Sequence, residues 1–206
     1  MMAPDVEPLR PTARTISSLS EVSPSDWDAC AGADNPFLFY AFLLSLEESG
    51  SCVAETGWLP HHLLLENDND ELIGAMPMYV KGHSQGEYVF DHNWAHAYEN
   101  AGGHYYPKLQ VSVPFTPATG PRLLTPPGES REKYQRFLIN AATQVADKLG
   151  VSSLHITFPT ENEWKLMGDT GLLLRTGEQF HWENKGYHSF EDFLAELTSR
   201  KRKSIR

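Results

Sequence analysis

Long hydrophobic runs are missing from this sequence. The longest apolar stretch, Phe37 to Leu46, is about half of the roughly 20 residues that a membrane-spanning helix needs. The opening segment, MMAPDVEPLRPTARTISS, has no apolar region of the kind that a secretory signal contains. Cysteine is scarce as well, because Cys30 and Cys52 alone give neither a disulfide framework nor a zinc knuckle. We therefore expect a cytoplasmic protein with reduced thiols and no membrane span.

The motifs of several enzyme classes are also absent. The sequence has no GxGxxG after a first strand and no GxxxxGK[ST], which excludes a dinucleotide-binding fold and a P-loop. It has no GxSxG, HExxH or CxxC either. Nucleophile-elbow hydrolases, zinc metalloproteases and dithiol oxidoreductases therefore lack their sequence signature here.

Basic residues are few outside the C-terminus. The chain has 17 Lys and Arg against 27 Asp and Glu, and five of the basic residues lie within Arg200–Arg206. The acidic remainder would repel a nucleic-acid backbone, so nucleic-acid binding is disfavoured. Only the basic end could attract phosphate.

Apolar and aromatic residues are plentiful enough for one folded domain. They make up 40% and 11% of the chain, which excludes disorder throughout. Asn35-Pro36 before an apolar run and Gly50 after it predict a buried helix over 36–49. The 3.6-residue spacing of apolar residues predicts a second helix over 130–149, closed by Gly150. Two capping boxes predict helices that begin after Thr160 and Ser189.

Strands are predicted between these helices. The turn formers of residues 67–70 indicate a hairpin, with Pro77 at an edge or bulge. Predicted strands span 15–22, 62–66, 71–80, 87–91, 108–115, 151–158 and 172–183, and an aromatic loop rich in histidine separates two of them. This order indicates a mixed, mostly antiparallel central sheet flanked by helices.

This element order resembles the acyl-CoA N-acyltransferase (GNAT) fold, and several strings resemble the FemAB-like predicted N-acyltransferases. The strings are GEYVFD (86–91), WAHAY (94–98), YYPKL (105–109), PFTP (114–117) with Gly120, FHW (180–182), Asn184, GY (186–187), SF (189–190) and SRKRK (199–203). The resemblance covers about residues 35 to 206. It implies a GNAT-like domain over 15–183 and a basic helix over 184–206 that leads into an absent second half, whereas the polar, proline-containing residues 1–14 predict a flexible segment by their composition.

The resemblance implies an N-acyltransferase that transfers an acyl or aminoacyl group to an amine of a small molecule or peptide. Peptidoglycan or cell-wall precursor metabolism is the implied setting. The donor would be acyl-CoA or aminoacyl-tRNA, used as a co-substrate, with no cofactor bound tightly. The alternative is a non-catalytic half that recognises the substrate of a tandem GNAT-like protein.

Asp91 and His181 are the main candidates for proton transfer, which acyl transfer to an amine requires; Glu99 is a further candidate, with a solvated loop residue as its alternative role. Asp91 could act as the base or bind the acceptor amine, and its alternative role is a turn cap. His181, between two aromatic residues, could carry a proton or contact substrate. His155 alternates with apolar residues, which is typical of a core or rim histidine. The spacing of His92 and His96 permits zinc on a helix, but no third ligand supports it, so no metal is predicted.

Substrate and donor contacts are predicted in two further regions. Trp94, Tyr98, Tyr105 and Tyr106 offer amphipathic surface for an acceptor or a pantetheine arm, and Lys108 could pair with an anion; a packed loop core and a solvated lysine are the alternatives. The cofactor-binding candidates are Thr116, Gly120, Arg122, Arg200, Lys201 and Arg202. The GNAT pyrophosphate turn, Q/R-x-x-G-x-G/A, is absent near Gly120, which disfavours a coenzyme A site within this chain.

Overall fold

The structure is a computed structural model that describes residues 11–205. The strands are β1 (Thr12–Ile16), β2 (Trp58–Pro60), β3 (His62–Glu66), β4 (Leu72–Met76), β5 (Met78–Lys81), β6 (Lys108–Val111) and β7 (Leu154–Ile156). The helices are α1 (Pro24–Ala31), α2 (Tyr40–Glu48), α3 (His92–Asn100), α4 (Arg131–Leu149), α5 (Glu161–Asp169), α6 (Phe190–Glu196) and α7 (Ser199–Ile205). None of the helices within 11–205 is both long and apolar enough to cross a bilayer.

The strands form two sheets, and the predicted mixed α/β class is confirmed. The first sheet has the order β1-β3-β4 and is antiparallel throughout. The second has the order β2-β5-β6-β7, in which only β6 and β7 are parallel. The hairpin over residues 58–81 is divided between the two sheets because Pro77, which has no N–H to donate to a ladder, separates β4 from β5. Pro77 therefore lies at the predicted irregularity.

Both faces of the first sheet and one face of the second contribute to the apolar core of the larger unit. Leu109 and Val111 of β6 and Met78 of β5 pack with Leu138 and Ile139 of α4 in one apolar cluster. A second cluster joins the other face of β3 and β4 to α1 and α2. The 3.6-residue pattern of α4 is thus explained, because its buried stripe packs on β3 and β4 of the first sheet as well as on strands of the second sheet.

The chain divides into two compact units between Leu174 and Arg175. The smaller unit contains α6 and α7, and the predicted single basic helix over 184–206 is two short helices with Leu197 in an extended conformation between them. This boundary differs from the predicted one at 183/184. Residues 1–10 of the predicted flexible segment lie outside the described residues, and β1 begins at Thr12.

Several predicted elements have other forms in the structure. The helix over 36–49 begins as a 3-10 turn at Pro36–Leu38 and is interrupted at extended Phe39, so α2 starts at Tyr40. The segments 87–91 and 172–183 form no strand, and most of the predicted 92–108 loop is helix α3. The two capping boxes are confirmed, since the side chains of Thr160 and Ser189 accept the expected backbone N–H groups.

Candidate functional site: a buried polar layer beneath helix α3

The second sheet has one apolar face and one polar face. Lys81 of β5 lies opposite Lys108 of β6, and Gln110 lies opposite both Tyr79 and His155 of β7. Because side chains alternate along a strand, these residues share the face that does not contact α4. Tyr79, Lys81, Lys108 and Gln110 are each 0% exposed. Such a fully buried polar face requires polar partners in the segment that covers it.

Lys108 forms hydrogen bonds from this face to the segment that covers it, which contains Ser84, Glu87 and Asp91. Its Nζ donates to Oγ of Ser84 at 2.8 Å, Oε2 of Glu87 at 2.8 Å and Oδ2 of Asp91 at 2.6 Å. The hydroxyl of Tyr105 donates to the same oxygen of Asp91 at 2.8 Å. Asp91 therefore points inward rather than capping α3, because it is the N-cap residue but makes no side-chain cap hydrogen bond.

Burial and close charges shift the pKa values of the layer. Burial alone would raise the pKa of Asp91, but hydrogen bonds from Lys108, Ser84 and Tyr105 lower it to about 2. Burial raises the pKa of Glu87 and lowers that of Lys81 to about 7. Lys81 Nζ lies 3.4 Å from the centroid of the Trp58 ring. Asp91 is thus a stable anion, which makes it a poor proton acceptor near neutral pH.

Four oxygens of this layer have no hydrogen-bond partner. They are Oη of Tyr79, Oε1 of Gln110, and the carboxylate oxygens Oε1 of Glu87 and Oδ1 of Asp91, all of them buried. Buried polar atoms nearly always have partners, so unpartnered carboxylate oxygens beside a fixed cation are typical of a functional layer rather than of a simple core.

His155 is the functional candidate that sequence reasoning placed in the core or rim. Its Nδ1 lies 3.9 Å from Oδ2 of Asp91, and its side chain is 16% exposed against 1% for Asp91. Its ring centroid is 6.2 Å from that of Tyr105. Alternation with apolar residues indicated only that His155 lies in a strand. The signal that could have identified it as a site residue is its position in the strand after the long helix, next to the strand that carries Lys108.

Helix α3 carries the predicted aromatic surface. Ala95 is its one buried residue, whereas Trp94 and Tyr98 are 52% and 47% exposed. Tyr98 packs on the backbone of Gly103 and reaches Tyr105, with 6.2 Å between ring centroids. Of the five predicted substrate residues, Tyr105 and Lys108 are buried parts of the polar layer, Tyr106 is half-buried and bonded to Ser84, and Trp94 and Tyr98 face solvent.

The predicted cofactor loop is held by internal contacts. Arg122 is 0% exposed, and three of its guanidinium nitrogens donate to the carbonyls of Thr157, Pro121 and Ala118. Burial lowers the pKa of Arg122 to about 10. Gly120 approaches Asn35 so closely that a Cβ on Gly120 would lie 2.2 Å from the side-chain amide nitrogen of Asn35. The hydroxyl of Thr116 donates a hydrogen bond to the carbonyl of Pro114. Because its side chain is fully buried and bonded to three carbonyls, Arg122 presents no donor to an anion in solvent.

The remaining predicted residues belong to the smaller unit. His181 is exposed and hydrogen-bonded to Gln179 at 2.9 Å. Arg202 donates to the carbonyls of Leu194, Ala195 and Leu197, so it caps the C-terminus of α6. Arg200 and Lys201 are exposed on α7. Asp91 lies in the larger unit and His181 in the smaller one.

Helix α3 carries the pair of histidines that the sequence offers for a metal. His92 and His96 lie four residues apart on α3, as a zinc pair would. No group of three or more His, Cys, Asp or Glu side chains within residues 11–205 could hold an ion.

The fold and the layer define a mixed α/β protein with a buried charge cluster under an exposed aromatic helix. The chain belongs to the FemAB-like family, whose description is peptidoglycan biosynthesis/recognition and whose model matches residues 18–206. The family predicted from the sequence strings is therefore confirmed. No curated protein sequence matches the chain.

Solved structures similar to the chain are N-acetyltransferases. A ribosomal-protein-alanine N-acetyltransferase from Brucella melitensis biovar Abortus is 13% identical, covers 85% of this chain and 100% of its own, and has a TM-score of 0.49. An aminoglycoside antibiotic 6'-N-acetyltransferase from Acinetobacter baumannii is 15% identical, covers 86% of this chain and 99% of its own, and has a TM-score of 0.45. Nothing about substrate follows from likenesses of this size.

Proposed function

We propose that the protein is an N-acyltransferase that transfers an acyl or aminoacyl group to an amine, in peptidoglycan or cell-wall precursor metabolism. Membership of the FemAB-like family supports this class. The observation that carries the proposal is the pair formed by Asp91 and His155, 3.9 Å apart at the edge of the buried layer. A carboxylate beside a histidine orients the ring and stabilises the imidazolium that forms when the histidine accepts a proton.

In this proposal His155 is the base and Asp91 is a positioning residue. The amine nitrogen attacks the carbonyl carbon of the donor, and a C–N bond forms. The C–S bond of a thioester, or the C–O bond of an aminoacyl ester, breaks. His155 accepts the proton that the attacking amine loses and passes it to the thiolate or alkoxide that leaves. Lys108 and Tyr105 keep Asp91 ionised and fixed throughout.

The test measures amine-dependent release of free coenzyme A from acetyl-CoA, and transfer from aminoacyl-tRNA, with the full chain. We expect His155→Gln and Asp91→Asn each to lower the turnover number by about 100-fold or more, since positioned proton transfer contributes about that much. The matched control is His104→Gln, which replaces an exposed histidine between α3 and β6, and it retains activity. Absence of transfer from both donors, or wild-type turnover by His155→Gln, contradicts the proposal.

A second candidate function is recognition of a substrate without catalysis. The contacts of Arg122 favour it, because the residue predicted to bind the donor's phosphates is buried and committed to three carbonyls. Calorimetry of the chain with acetyl-CoA separates the two candidates. Heat of binding supports the transferase, and no heat together with amine binding supports recognition.

A further inference from the structure

The segment over residues 82–107 has a composition that no other part of the chain shares. It contains six Phe, Trp and Tyr residues and four histidines, together with three acids, and it has no Lys or Arg. Its acids are Glu87, Asp91 and Glu99. Aromatic faces carry negative charge above the ring, so aromatics and carboxylates without a basic residue form a surface that attracts cations.

Four of these aromatic side chains are exposed on the same short segment. Tyr88 is 54% exposed and Phe90 is 79% exposed, and they precede Trp94 and Tyr98 on α3. Trp94 and Tyr98 are four residues apart, so they lie on one face of the helix. Exposed aromatics at this density are unusual for a surface without a ligand or partner.

The aromatic surface is continuous with the polar layer. The ring of Tyr98 is 6.2 Å from that of Tyr105, whose hydroxyl donates to Asp91. Oδ1 of Asp91 and Oε1 of Glu87 are buried acceptors without partners just beyond this contact. Tyr98 thus connects the exposed aromatic residues of α3 with the buried layer, in which Lys108 pairs with both carboxylates.

We propose that Tyr88, Phe90, Trp94 and Tyr98 form a binding surface for an organic cation, namely an alkylammonium group of the acceptor. This inference rests on the proposed function, because an acyltransferase must collect an amine that is protonated in solution before His155 removes its proton. Charge complementarity selects the cation: the segment carries π faces, the exposed Glu99 and no Lys or Arg, and the larger unit as a whole is acidic. A neutral sugar ring would use the same rings but gain nothing from this negative charge.

The test uses NMR of the indole N–H groups of the full chain, without an acyl donor. Trp94→Leu identifies the Trp94 signal among the five tryptophans. The probes are hexylamine as its ammonium salt, 1-hexanol and N-acetylglucosamine. We expect hexylammonium to shift the Trp94 signal with an affinity about tenfold tighter than that of hexanol, since a cation over aromatic rings contributes about that ratio. Added salt should weaken only the ammonium.

Variants make the assignment specific. Tyr98→Leu should weaken hexylammonium binding about threefold or more, whereas Phe37→Leu, an exposed aromatic on another part of the larger unit, should leave it unchanged. Equal affinity for hexanol, a preference for N-acetylglucosamine, absence of binding, or indifference to Tyr98→Leu overturns the inference. Binding of hexylammonium by a protein that transfers no acyl group leaves the inference standing and removes the proposed function.

Discussion

Replacement of Lys108 by Met tests whether the buried layer is held by this one cation. Lys108 is 0% exposed and bonds two carboxylates at 2.8 Å and 2.6 Å. Removing one partner of a buried ion pair leaves an uncompensated charge and costs about 3–5 kcal/mol. Because about 1 kcal/mol lowers the melting temperature of a chain this size by about 2–4 °C, we expect a decrease of about 10 °C.

Urea unfolding at several pH values is the assay for Lys108→Met. The loss should be smaller at pH 5 than at pH 8, because the carboxyls of Glu87 and Asp91 can take up a proton once the cation is gone. In the wild-type protein the pKa of Asp91 is about 2. That group's contribution to stability is therefore present above its usual pKa and is lost as the pH falls towards 2.

Two comparisons separate the charge effect from the loss of a side chain. Lys165→Met removes an exposed lysine paired with Glu161, and it should cost about 0.5 kcal/mol or less. Adding Glu87→Gln and Asp91→Asn to Lys108→Met should restore at least half of the lost stability, because no buried charge is then unpaired. A Lys108→Met protein that unfolds within about 1 kcal/mol of wild type at pH 8 would refute the reasoning.

Three further predictions follow from single contacts. Lys81→Met should raise the free energy of unfolding more at pH 6.5 than at pH 8.5. Burial lowers the pKa of Lys81 to about 7, so the folded protein must hold a buried charged lysine once the pH falls below that value, which opposes folding. A pH-independent difference in chemical denaturation would contradict this. Thr160→Ala removes the cap of α5 and should cost about 1 kcal/mol by the same measurement, and no change would exclude the cap as a stabilising contact. Gly103→Ala places a Cβ 2.3 Å from the Tyr98 ring, so it should weaken hexylammonium binding with little change in melting temperature, and unchanged binding would show that the position of Tyr98 is immaterial.

Elements with local signals were predictable from the sequence. Helix α4 ends at Leu149 with Gly150 in the left-handed conformation, as its apolar spacing and terminal glycine indicated. The Thr160 and Ser189 capping boxes were predictable because each involves atoms three residues apart. Local signals misled where tertiary contacts decide. The apolar run EYVFD (87–91) has strand propensity, but its acids turn inward to Lys108 and no neighbouring strand pairs with it.

The site was only partly predictable for the same reason. Asp91, Tyr105 and Lys108 belong to one stretch of sequence, and they do meet in one cluster. The pairing of Lys81 with Lys108 depends on the register of β5 with β6, which the sequence does not encode locally. His155 joins the cluster through the parallel pairing of β7 with β6, so its alternation with apolar residues could not indicate its carboxylate neighbour.

A double-mutant cycle on acyl transfer tests the central claim most directly. The turnover number is measured for wild type, His155→Gln, Asp91→Asn and the double variant, with thermal unfolding as a check on folding. Residues that act as a unit give strongly non-additive losses. The account predicts that the double variant is no slower than His155→Gln alone, because Asp91 acts through His155. Losses that multiply, or an Asp91→Asn enzyme slower than His155→Gln, would contradict it.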